Sequence, residues 1–383
     1  MRIGVLGTSW PYRGGLAAFN ERLSRQFIAE GNEVEIFTFT LQYPDFLFPG
    51  KTQYSESAEP SDLRISRTMN SIGPVSWFKT ARAIEEAGIE LLVIKFWIPL
   101  MAPCLGTIAR LARRKGIKVV SILDNVIPHE PHFWDKWLIR YFTGSADRFI
   151  AMSDSVKADC LRFLPKNRQD CVSLSPHPLY DNFGEAMDKV SARKELGLPT
   201  DKTILLFFGF IRDYKGLDLL MKAYAEAIGN ESGVKDKEDL LLVVAGEFYN
   251  NGEQYMQLEK TLGLEGKIAW HTNFIPDERV RMYFSAADLI VQPYKSATQS
   301  GVTQIAYHFE KPMLVTNVGG LAEIVPDGRV GYVCDVDEHS VAHAIEQFAS
   351  IDKSKRAELF GENIRKEKQK YAWSRMTEVI YGQ

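Results

Sequence analysis

The chain has 383 residues, which at roughly 150 residues per domain predicts two or three domains. Hydrophobic residues make up 45% of the chain and charged residues 25%, a composition that excludes overall disorder. The formal net charge is −3, which excludes a strongly basic nucleic-acid-binding protein.

The small net charge conceals a difference between the two halves of the chain. The first 180 residues carry 22 Lys and Arg against 18 Asp and Glu, whereas the remainder carries 24 against 31. The four cysteines have neither CxxC spacing nor a nearby histidine pair, so neither a disulfide framework nor a structural zinc is predicted. The first residues lack the apolar stretch of a signal peptide, and residues 91–111 are interrupted by Lys95, Pro99 and Pro103. We therefore expect a cytoplasmic protein.

Short apolar strands alternate with amphipathic helices through the first half of the chain. A helix is predicted over residues 16–30, and residues 42–70 are predicted to be an irregular surface excursion with a hairpin. The predicted strands lie at residues 2–7, 34–39, 91–96, 119–123 and 148–152. This alternation predicts βαβ units and a parallel sheet.

The same alternation begins again after residue 202. Helices are predicted over residues 217–227 and around 278–287, and a charged helical pattern covers 357–380. The predicted strands lie at residues 204–209, 240–245, 267–270, 289–292 and 313–316. Two such runs predict an α/β protein with two doubly wound domains. Residues 164–202 contain four prolines and are typical of an interdomain connection, with His177 as a hinge residue.

Doubly wound domains bind ligands at the carboxyl ends of their strands, so the turns that follow strands are the candidate site segments. Gly14 and Gly15 lie between the first strand and the first helix. A glycine pair lets backbone amides approach a phosphate at a helix N-terminus, although a simple turn would use the same residues. The sequence has neither GxGxxG nor GxxxxGK[ST], which argues against a dinucleotide-dependent dehydrogenase and a P-loop NTPase.

The segment from Gly209 to Gly216 carries the most specific signal. A strand ends at Gly209, and Arg212 and Lys215 precede the next helix. A guanidinium binds phosphate oxygens bidentately and an ammonium supplies a point charge, so this pair is suited to a diphosphate. The alternative is a solvated Arg–Asp turn.

Two later turns also follow strands. Thr298, Gln299, Ser300 and Gly301 precede a helix and present hydroxyl, amide and backbone donors, which would bind an anion or simply cap the helix. Further along, a glycine pair at residues 319–320 leads to Glu323, either as part of the site or as a packing turn.

His129 and Glu130 follow the strand that ends at residue 123. A histidine beside a carboxylate at this edge is suited to binding sugar hydroxyls or moving a proton, although a structural histidine is the alternative.

Taken together, these motifs resemble the family 4 glycosyltransferases of the GT-B fold. The resemblance covers nearly the whole chain and is most specific in residues 209–220 and 292–331. It implies two Rossmann-like domains facing each other across a cleft. The predicted N-terminal, acceptor-side domain comprises residues 1–178 with a returning C-terminal helix at 368–383, and the predicted nucleotide-sugar-binding domain comprises residues 179–367.

The resemblance implies a retaining, hexosyltransferase-type enzyme that moves a sugar from a UDP- or GDP-sugar to an acceptor hydroxyl without a bound metal or resident cofactor. Arg212 and Lys215 match the family's diphosphate-binding pair, and they are predicted as catalytic together with His129 and Glu130. Gly14, Gly15, Gly209, Glu323 and residues 298–301 are predicted to contact the donor. The sequence departs from the family where two glutamates are usual, because residues 296–307 contain no carboxylate.

The acceptor is expected to be a glycan or a lipid-linked molecule, as in polysaccharide or glycolipid synthesis, and no nucleic-acid partner is expected. The cationic residues Arg110, Arg113, Arg114, Lys115 and Lys118 would hold the first domain against the inner face of an anionic membrane, or would form a solvated helix end. A hydrolase or epimerase acting on a nucleotide sugar, and a non-catalytic nucleotide-sugar-binding protein, are the alternative functions.

Overall fold

The computed structural model describes residues 1–44, 53–55, 58–128, 132–229, 239–249, 252–297 and 300–382. The chain forms two compact units. The first unit comprises Met1–His177 and Trp373–Gln383, and the second comprises Pro178–Ala372. The sequence prediction placed the first division after residue 178 and began the returning segment at residue 368.

The first unit is built on a seven-stranded sheet with the order β3-β2-β1-β4-β5-β6-β7. Every neighbouring pair of these strands is parallel. The strands are β1 (Arg2–Leu6), β2 (Glu33–Leu41), β3 (Ile65–Asn70), β4 (Leu91–Phe96), β5 (Lys118–Leu123), β6 (Arg148–Ala151) and β7 (Val172–Leu174). The buried apolar runs of the central strands fit a parallel sheet that is covered on both faces.

Helices cover both faces of this sheet. They are α1 (Gly15–Ala29), α2 (Pro74–Glu86), α3 (Ala102–Arg114), α4 (Asp135–Thr143), α5 (Asp154–Leu161) and α14 (Trp373–Tyr381). Helices α1 and α14 share one apolar cluster with alternate residues of the strands. The opposite face of the sheet packs against α3, α4 and α5.

The second unit contains a six-stranded parallel sheet with the order β10-β9-β8-β11-β12-β13. The strands are β8 (Thr203–Phe208), β9 (Leu240–Ala245), β10 (Ile268–His271), β11 (Leu289–Gln292), β12 (Met313–Thr316) and β13 (Gly331–Cys334). The helices are α6 (Lys189–Glu195), α7 (Leu217–Ala227), α8 (Glu253–Thr261), α9 (Asp277–Ala286), α10 (Gly301–His308), α11 (Leu321–Ile324), α12 (Glu338–Ser350) and α13 (Lys353–Lys368).

Two sequence predictions differ from the structure. The segment predicted as an excursion with a hairpin contains strand β3, which pairs in parallel with β2. Strand β3 is polar and mostly half-exposed, so it lacks the apolar run that identified the central strands. The helical pattern over residues 357–380 is divided between α13 and α14, because the chain leaves helical geometry at Ala372. None of the described helices is long and apolar enough to cross a bilayer.

Phe19 of α1 packs against His177, at which the chain leaves the first unit, and against Trp373, at which it returns. Its ring centroid lies 5.2 Å from that of His177 and 5.0 Å from that of Trp373. The Lys95 ammonium lies 3.3 Å from the centre of the Phe19 ring, and it also pairs with Asp124 at 2.7 Å. Phe19 therefore joins α1, strand β4 and the returning helix α14 at one point.

We predict that Phe19→Ala lowers the free energy of unfolding by about 3–5 kcal/mol, because it removes a buried ring and uncovers a buried charge. Phe19→Leu is expected to cost about 1–2 kcal/mol, since it keeps the apolar volume but loses the cation–π contact. Urea unfolding measures both effects. Phe27→Leu, on the same helix, is the matched control, because Phe27 is also fully buried but packs on Tyr381. Equal losses for Phe19→Leu and Phe27→Leu would show that the contact with Lys95 stabilises nothing.

Candidate functional site

The turn after β8 begins at Gly209, at the carboxyl edge of the second sheet. Gly209 has a φ of 96°, and its backbone N–H donates to the carbonyl of Ala245 at 2.8 Å. A Cβ atom on Gly209 would lie 2.9 Å from Nζ of Lys215. The glycine therefore serves two purposes, because it tolerates the backbone conformation and leaves room for the Lys215 ammonium beside the main chain.

The loop returns to the sheet at Gly216, which precedes α7. Gly216 has a φ of 68°, and a Cβ there would lie 2.0 Å from the carbonyl oxygen of Pro293. The backbone N–H of Lys295 also donates to the carbonyl of Tyr214 at 2.7 Å. These contacts hold the loop of residues 209–216 against the segment that follows β11, so two segments singled out in the sequence are adjacent.

The Lys215 side chain is partly buried and has no compensating anion among the described residues. No described residue accepts a hydrogen bond from it or forms an ion pair with it. Burial and, to a smaller extent, the positive charge of Arg212 together lower the pKa of Lys215 to about 8. The nearest aromatic ring, that of Tyr294, is centred 5.7 Å from the ammonium.

Other buried cations of the second unit have oxygen partners. Lys311 donates to the carbonyls of Ser285 and Ala287 at 3.1 and 3.0 Å. Arg193 donates to a carboxylate oxygen of Asp288 at 2.7 Å and to three backbone carbonyls. Burying a charge without such partners is costly, so the position of Lys215 is consistent with a site that receives an anion.

Arg212 is exposed at the start of the same turn, and its guanidinium lies 4.0 Å above the ring of Tyr249. The N–H of Tyr249 donates to the carbonyl of Ile211 at 3.0 Å, which fixes the aromatic residue beside the turn. Stacking on a ring orients a guanidinium while leaving its N–H donors available. The contact between Tyr249 and Arg212 could not be predicted from the sequence, since no motif links the two residues.

Ser300 and Gly301 lie at the beginning of α10. Ser300 is the N-cap residue, and its hydroxyl makes no capping hydrogen bond but lies 3.4 Å from the hydroxyl of Tyr294. A Cβ on Gly301 would lie 2.9 Å from the ring of Tyr180. The structure therefore places this helix N-terminus next to the segment that contacts the Lys215 turn. Two further predicted contacts, Thr298 and Gln299, lie outside the described residues.

Gln304, in the first half of α10, has only 1% of its surface exposed. Neither its amide oxygen nor its amide nitrogen has a hydrogen-bond partner among the described residues. The neighbouring Thr303 hydroxyl, by contrast, donates to Gln292 at 3.1 Å. Gln304 thus places a buried amide within residues 296–307, the segment that contains no carboxylate.

Glu323 is exposed on α11, which spans only Leu321–Ile324. The preceding glycine pair connects this short helix to β12, and Gly319 has a φ of 50°. The carboxylate makes no described contact with the Lys215 turn. Its predicted role in donor binding stays a prediction.

A cavity of about 250 Å³ lies at the carboxyl end of β10. It is lined by Trp270, His271, Asn273, Phe274, Ile275, Pro276, Arg279 and Tyr283. His271 accepts or donates a hydrogen bond to the Tyr283 hydroxyl at 2.9 Å, and burial lowers the pKa of this histidine. Strand β9 separates β10 from β8, so the cavity lies about two strand spacings, or roughly 10 Å, from the Lys215 turn. No sequence motif identified this cavity.

In the first unit, Gly14 is the N-cap residue of α1, with a φ of 103° and open space around it. Gly15 begins the helix, so backbone N–H groups without a side-chain cap are available there. The turn before them is fixed by Glu21, whose carboxylate accepts from the Ser9 hydroxyl and the Trp10 N–H, both at 3.0 Å. This places the glycine pair at the carboxyl edge of the first sheet.

The turn after β5 begins with Asp124, which pairs with the buried Lys95. Burial lowers the pKa of Lys95, and the Asp124 carboxylate opposes this effect. The sequence shows Lys95 only as an interruption of an apolar stretch, because its partner Asp124 lies 29 residues away. His129 and Glu130, predicted to be catalytic, lie outside the described residues. Within the described ranges, no group of three or more potential metal-ligating side chains is arranged to hold a metal ion.

Two family models together match most of the chain. The model described as Glycosyltransferase Family 4 matches residues 13–172, and the model described as Glycosyl transferases group 1 matches residues 188–367. Each model falls within one of the two units.

Curated relatives include proteins named D-inositol 3-phosphate glycosyltransferase. The protein from Catenulispora acidiphila is 30% identical over 60% of this chain and 54% of its own length. The match to the Streptomyces avermitilis protein covers 45% of that protein, so the chain spans about half the length of these two relatives. The protein from Acidothermus cellulolyticus is 29% identical over 96% of this chain and 85% of its own length.

Solved structures show the same fold at low sequence identity. The Anabaena protein HepE in complex with UDP has a TM-score of 0.72 and 15% identity, with both chains fully covered. The sucrose-phosphate synthase of Thermosynechococcus elongatus has a TM-score of 0.69 and 19% identity, and covers 100% of this chain and 98% of its own. These similarities establish the predicted α/β fold with two Rossmann-like domains.

We predict that Gln304→Met raises the free energy of unfolding by about 1–3 kcal/mol, because it removes two buried polar atoms that have no described hydrogen-bond partner and keeps the side-chain volume. Thermal and urea unfolding measure the change. Gln347→Met is the control, since Gln347 is exposed and hydrogen-bonded to His343, and it should change stability by less than about 0.5 kcal/mol. A loss of stability in Gln304→Met would contradict the prediction.

Proposed function

Because the chain belongs to the family 4 glycosyltransferases of the GT-B fold, we propose that it is a retaining, metal-independent enzyme that transfers a hexose from a UDP- or GDP-sugar to an acceptor hydroxyl. The observation that carries this proposal is the partly buried ammonium of Lys215, which lies beside Arg212 and has no anionic partner among the described residues. Two cations at the carboxyl edge of a parallel sheet form a binding site for a diphosphate.

The same two residues serve the chemistry of transfer. When the bond between the sugar C1 and the phosphate oxygen breaks, its electron pair goes to the departing diphosphate. Lys215 and Arg212 stabilise this developing negative charge, and the N-terminus of α10 at Ser300 adds a favourable dipole. Most of the acceleration is expected from this preorganised charge stabilisation, since the cations need no reorganisation during the reaction.

Retention is proposed to proceed by attack on the face from which the diphosphate departs. Residues 296–307 contain no carboxylate that would form a covalent intermediate with the sugar. The acceptor oxygen bonds to C1 as the diphosphate leaves, and the acceptor proton passes to the departing phosphate oxygen. Gly209, Ser300, Gly301 and the segment 298–299 are proposed to contact the donor through backbone and neutral side-chain groups, with Glu323 as a further contact.

The cavity beside His271 is proposed to receive the base of the nucleotide. Its aromatic and amide side chains suit a planar heterocycle, and the Trp270 indole N–H has no described partner. The distance of two strand spacings to Lys215 matches the separation of a base from its diphosphate. The structural relative HepE is described in complex with UDP, which supports a uridine nucleotide as the first donor to test.

The first unit is proposed to bind the acceptor, with His129 and Glu130 orienting it or moving its proton and with Gly14 and Gly15 against the donor phosphates. A glycan or a lipid-linked molecule is the proposed acceptor class. The curated relatives named for D-inositol 3-phosphate add that compound to the acceptors that should be tested. A nucleotide-sugar donor is consistent with a cytoplasmic location, and the cationic residues 110–118 are proposed to favour the inner face of the membrane.

We predict that Arg212→Ala/Lys215→Ala lowers the affinity for UDP or GDP at least tenfold and lowers turnover at least a hundredfold, because each charge-assisted contact contributes about 1.5–3 kcal/mol. Isothermal titration and a donor-consumption assay measure the two effects. Arg365→Ala/Lys366→Ala, on the exposed surface of α13, is the charge-matched control. Changes within about twofold in the first variant would show that these residues do not bind the donor.

We predict that the affinity for UDP-glucose falls as the pH rises through about 8, the pKa of Lys215 in the free protein. Lys215 is a cation below this pKa and neutral above it, whereas the charge of the diphosphate ester is constant in this range. The dissociation constant should be constant near pH 7 and rise by up to about tenfold per pH unit above the pKa. Lys215→Arg should remove this dependence, because a guanidinium remains charged. If Lys215→Arg showed the same pH dependence of affinity as wild type, this dependence would not arise from Lys215.

Acceptor panels distinguish transfer from the two other functions considered. Donor consumption at one rate with and without every acceptor would assign a hydrolase or an epimerase. Tight donor binding without turnover on any acceptor would assign a binding protein. Consumption that depends on one acceptor supports the transferase.

A further inference from the structure

Helix α4 of the first unit presents large aromatic side chains and cations to solvent. The exposed fractions are 75% for Phe133, 43% for Trp134, 64% for Trp137 and 38% for Tyr141. The exposed cations among them are those of Lys136 and Arg140. We call this surface the α4 face, defined by Phe133, Trp134, Lys136, Trp137, Arg140 and Tyr141.

The α4 face is separate from the apolar side of the same helix. Ile139 and Phe142 are 1% exposed and pack into the core against the sheet. The exposed rings instead contact one another, since the Phe133 ring lies 4.6 Å from that of Trp134 and 6.2 Å from that of Trp137. A contiguous cluster of exposed rings is unusual on a monomeric protein and marks an interaction surface.

The charge of the surface is positive. The carboxylate of α4, that of Asp135, is buried and accepts a hydrogen bond from the N–H of His132 at 2.7 Å. No described carboxylate pairs with Lys136 or Arg140. The α4 face therefore combines aromatic rings with two cations that no described residue neutralises.

Helix α3 extends this charge, because it contains no acidic residue. The Arg110 guanidinium lies 3.8 Å from the centre of the Tyr141 ring, which joins α3 to the α4 face. The cationic residues at the C-terminal end of α3 differ in whether they form ion pairs. Arg113 and Lys115 are paired with Asp147 and Glu85, at 2.7 and 2.8 Å, and lose much of their attraction for an external anion. Arg114 is exposed and has no described partner.

We propose that the α4 face docks the protein onto an anionic lipid bilayer. Tryptophan and tyrosine rings are stable at the level of lipid headgroups, and flanking cations are attracted to anionic phosphates. A protein partner fits the surface less well, since the cores of protein interfaces are depleted of lysine.

Docking on a bilayer implies that the acceptor is lipid-linked rather than a free glycan. This conclusion about the acceptor rests on the proposed function, whereas the docking itself does not. Helix α4 follows strand β5 at the carboxyl edge of the first sheet, the edge at which acceptor binding is proposed. Docking through the α4 face would therefore hold that edge near an acceptor carried by the bilayer.

Vesicle flotation tests the docking without donor or acceptor. Wild type is expected to float with vesicles of phosphatidylcholine and about 30% phosphatidylglycerol at about 50 mM salt, and to bind far less at about 500 mM salt. Trp134→Ser/Trp137→Ser should weaken binding about tenfold. Lys136→Gln/Arg140→Gln should weaken it about 25-fold, since each cation near an anionic surface contributes about fivefold. Leu359→Ser and Lys366→Gln, exposed positions on α13, are the matched controls and should bind as wild type does.

Fluorescence provides a second measurement. Brominated lipid should quench the tryptophan emission of wild type, and Trp134→Phe/Trp137→Phe should abolish the quenching while keeping most of the binding. Absence of wild-type binding to anionic vesicles at low salt would overturn the proposal. Equal binding by Trp134→Ser/Trp137→Ser would also overturn it. The proposal would also be overturned if wild type formed a dimer in ultracentrifugation and Trp134→Ser/Trp137→Ser were a monomer, since a second copy would then cover the α4 face.

The outcomes separate this inference from the proposed function. Trp134→Ser/Trp137→Ser should keep wild-type affinity for UDP or GDP, and a circular dichroism spectrum and thermal unfolding curve like those of wild type would show that its first unit is folded. Arg212→Ala/Lys215→Ala should keep wild-type vesicle binding. A loss of helical signal or an early unfolding transition in the serine variant would indicate that its first unit is unfolded, and Lys136→Gln/Arg140→Gln then decides the question.

Discussion

Parallel pairing of the strands is the constraint on which both sites depend. All described strand pairs in both sheets are parallel. The chain must therefore return across the sheet through a crossover connection before each new strand begins. The carboxyl ends of the strands consequently meet at one edge of each sheet. The turns at Gly14, Gly209 and Ser300 lie at such edges, although they are far apart in the sequence. Chemistry is concentrated there because the loops at this edge are free to vary while the strands are fixed by packing.

Buried cations show how the protein distinguishes structural charge from charge available to a ligand. Lys95 is covered by the Phe19 ring and paired with Asp124, and Arg193 is surrounded by oxygen acceptors. These cations connect segments of the fold, and their partners within the protein make them unavailable to a ligand. Lys215 is less completely buried than these two but has no described acceptor, and its partial burial together with the charge of Arg212 lowers its pKa to about 8. The missing partner is the physical basis of the proposed diphosphate site.

Membrane docking through the α4 face would give the charge difference between the two halves of the chain a physical role. Ion pairs within the protein already occupy part of the cationic surface predicted from the sequence, and neutralise Arg113 and Lys115. The cations left available lie beside exposed aromatic rings on α4. A bilayer combines an anionic surface with an apolar interior, so a face with both properties is suited to it.

The alternation of strands and helices, the two doubly wound domains and the family could be predicted from the amino-acid sequence, because buried parallel strands appear as short apolar runs between amphipathic helices. The sequence also predicts a site at Gly209, Arg212 and Lys215, since a glycine and two cations after a strand form a local pattern. It did not find strand β3, whose polar residues lack that apolar signal. Which charges are compensated depends on contacts between distant parts of the chain. Lys95 pairs with Asp124 and Arg113 pairs with Asp147 across intervals of about 30 residues, whereas Lys215 pairs with no described carboxylate. Periodicity likewise could not show that Trp134 and Trp137 face solvent, because burial depends on the elements that pack nearby.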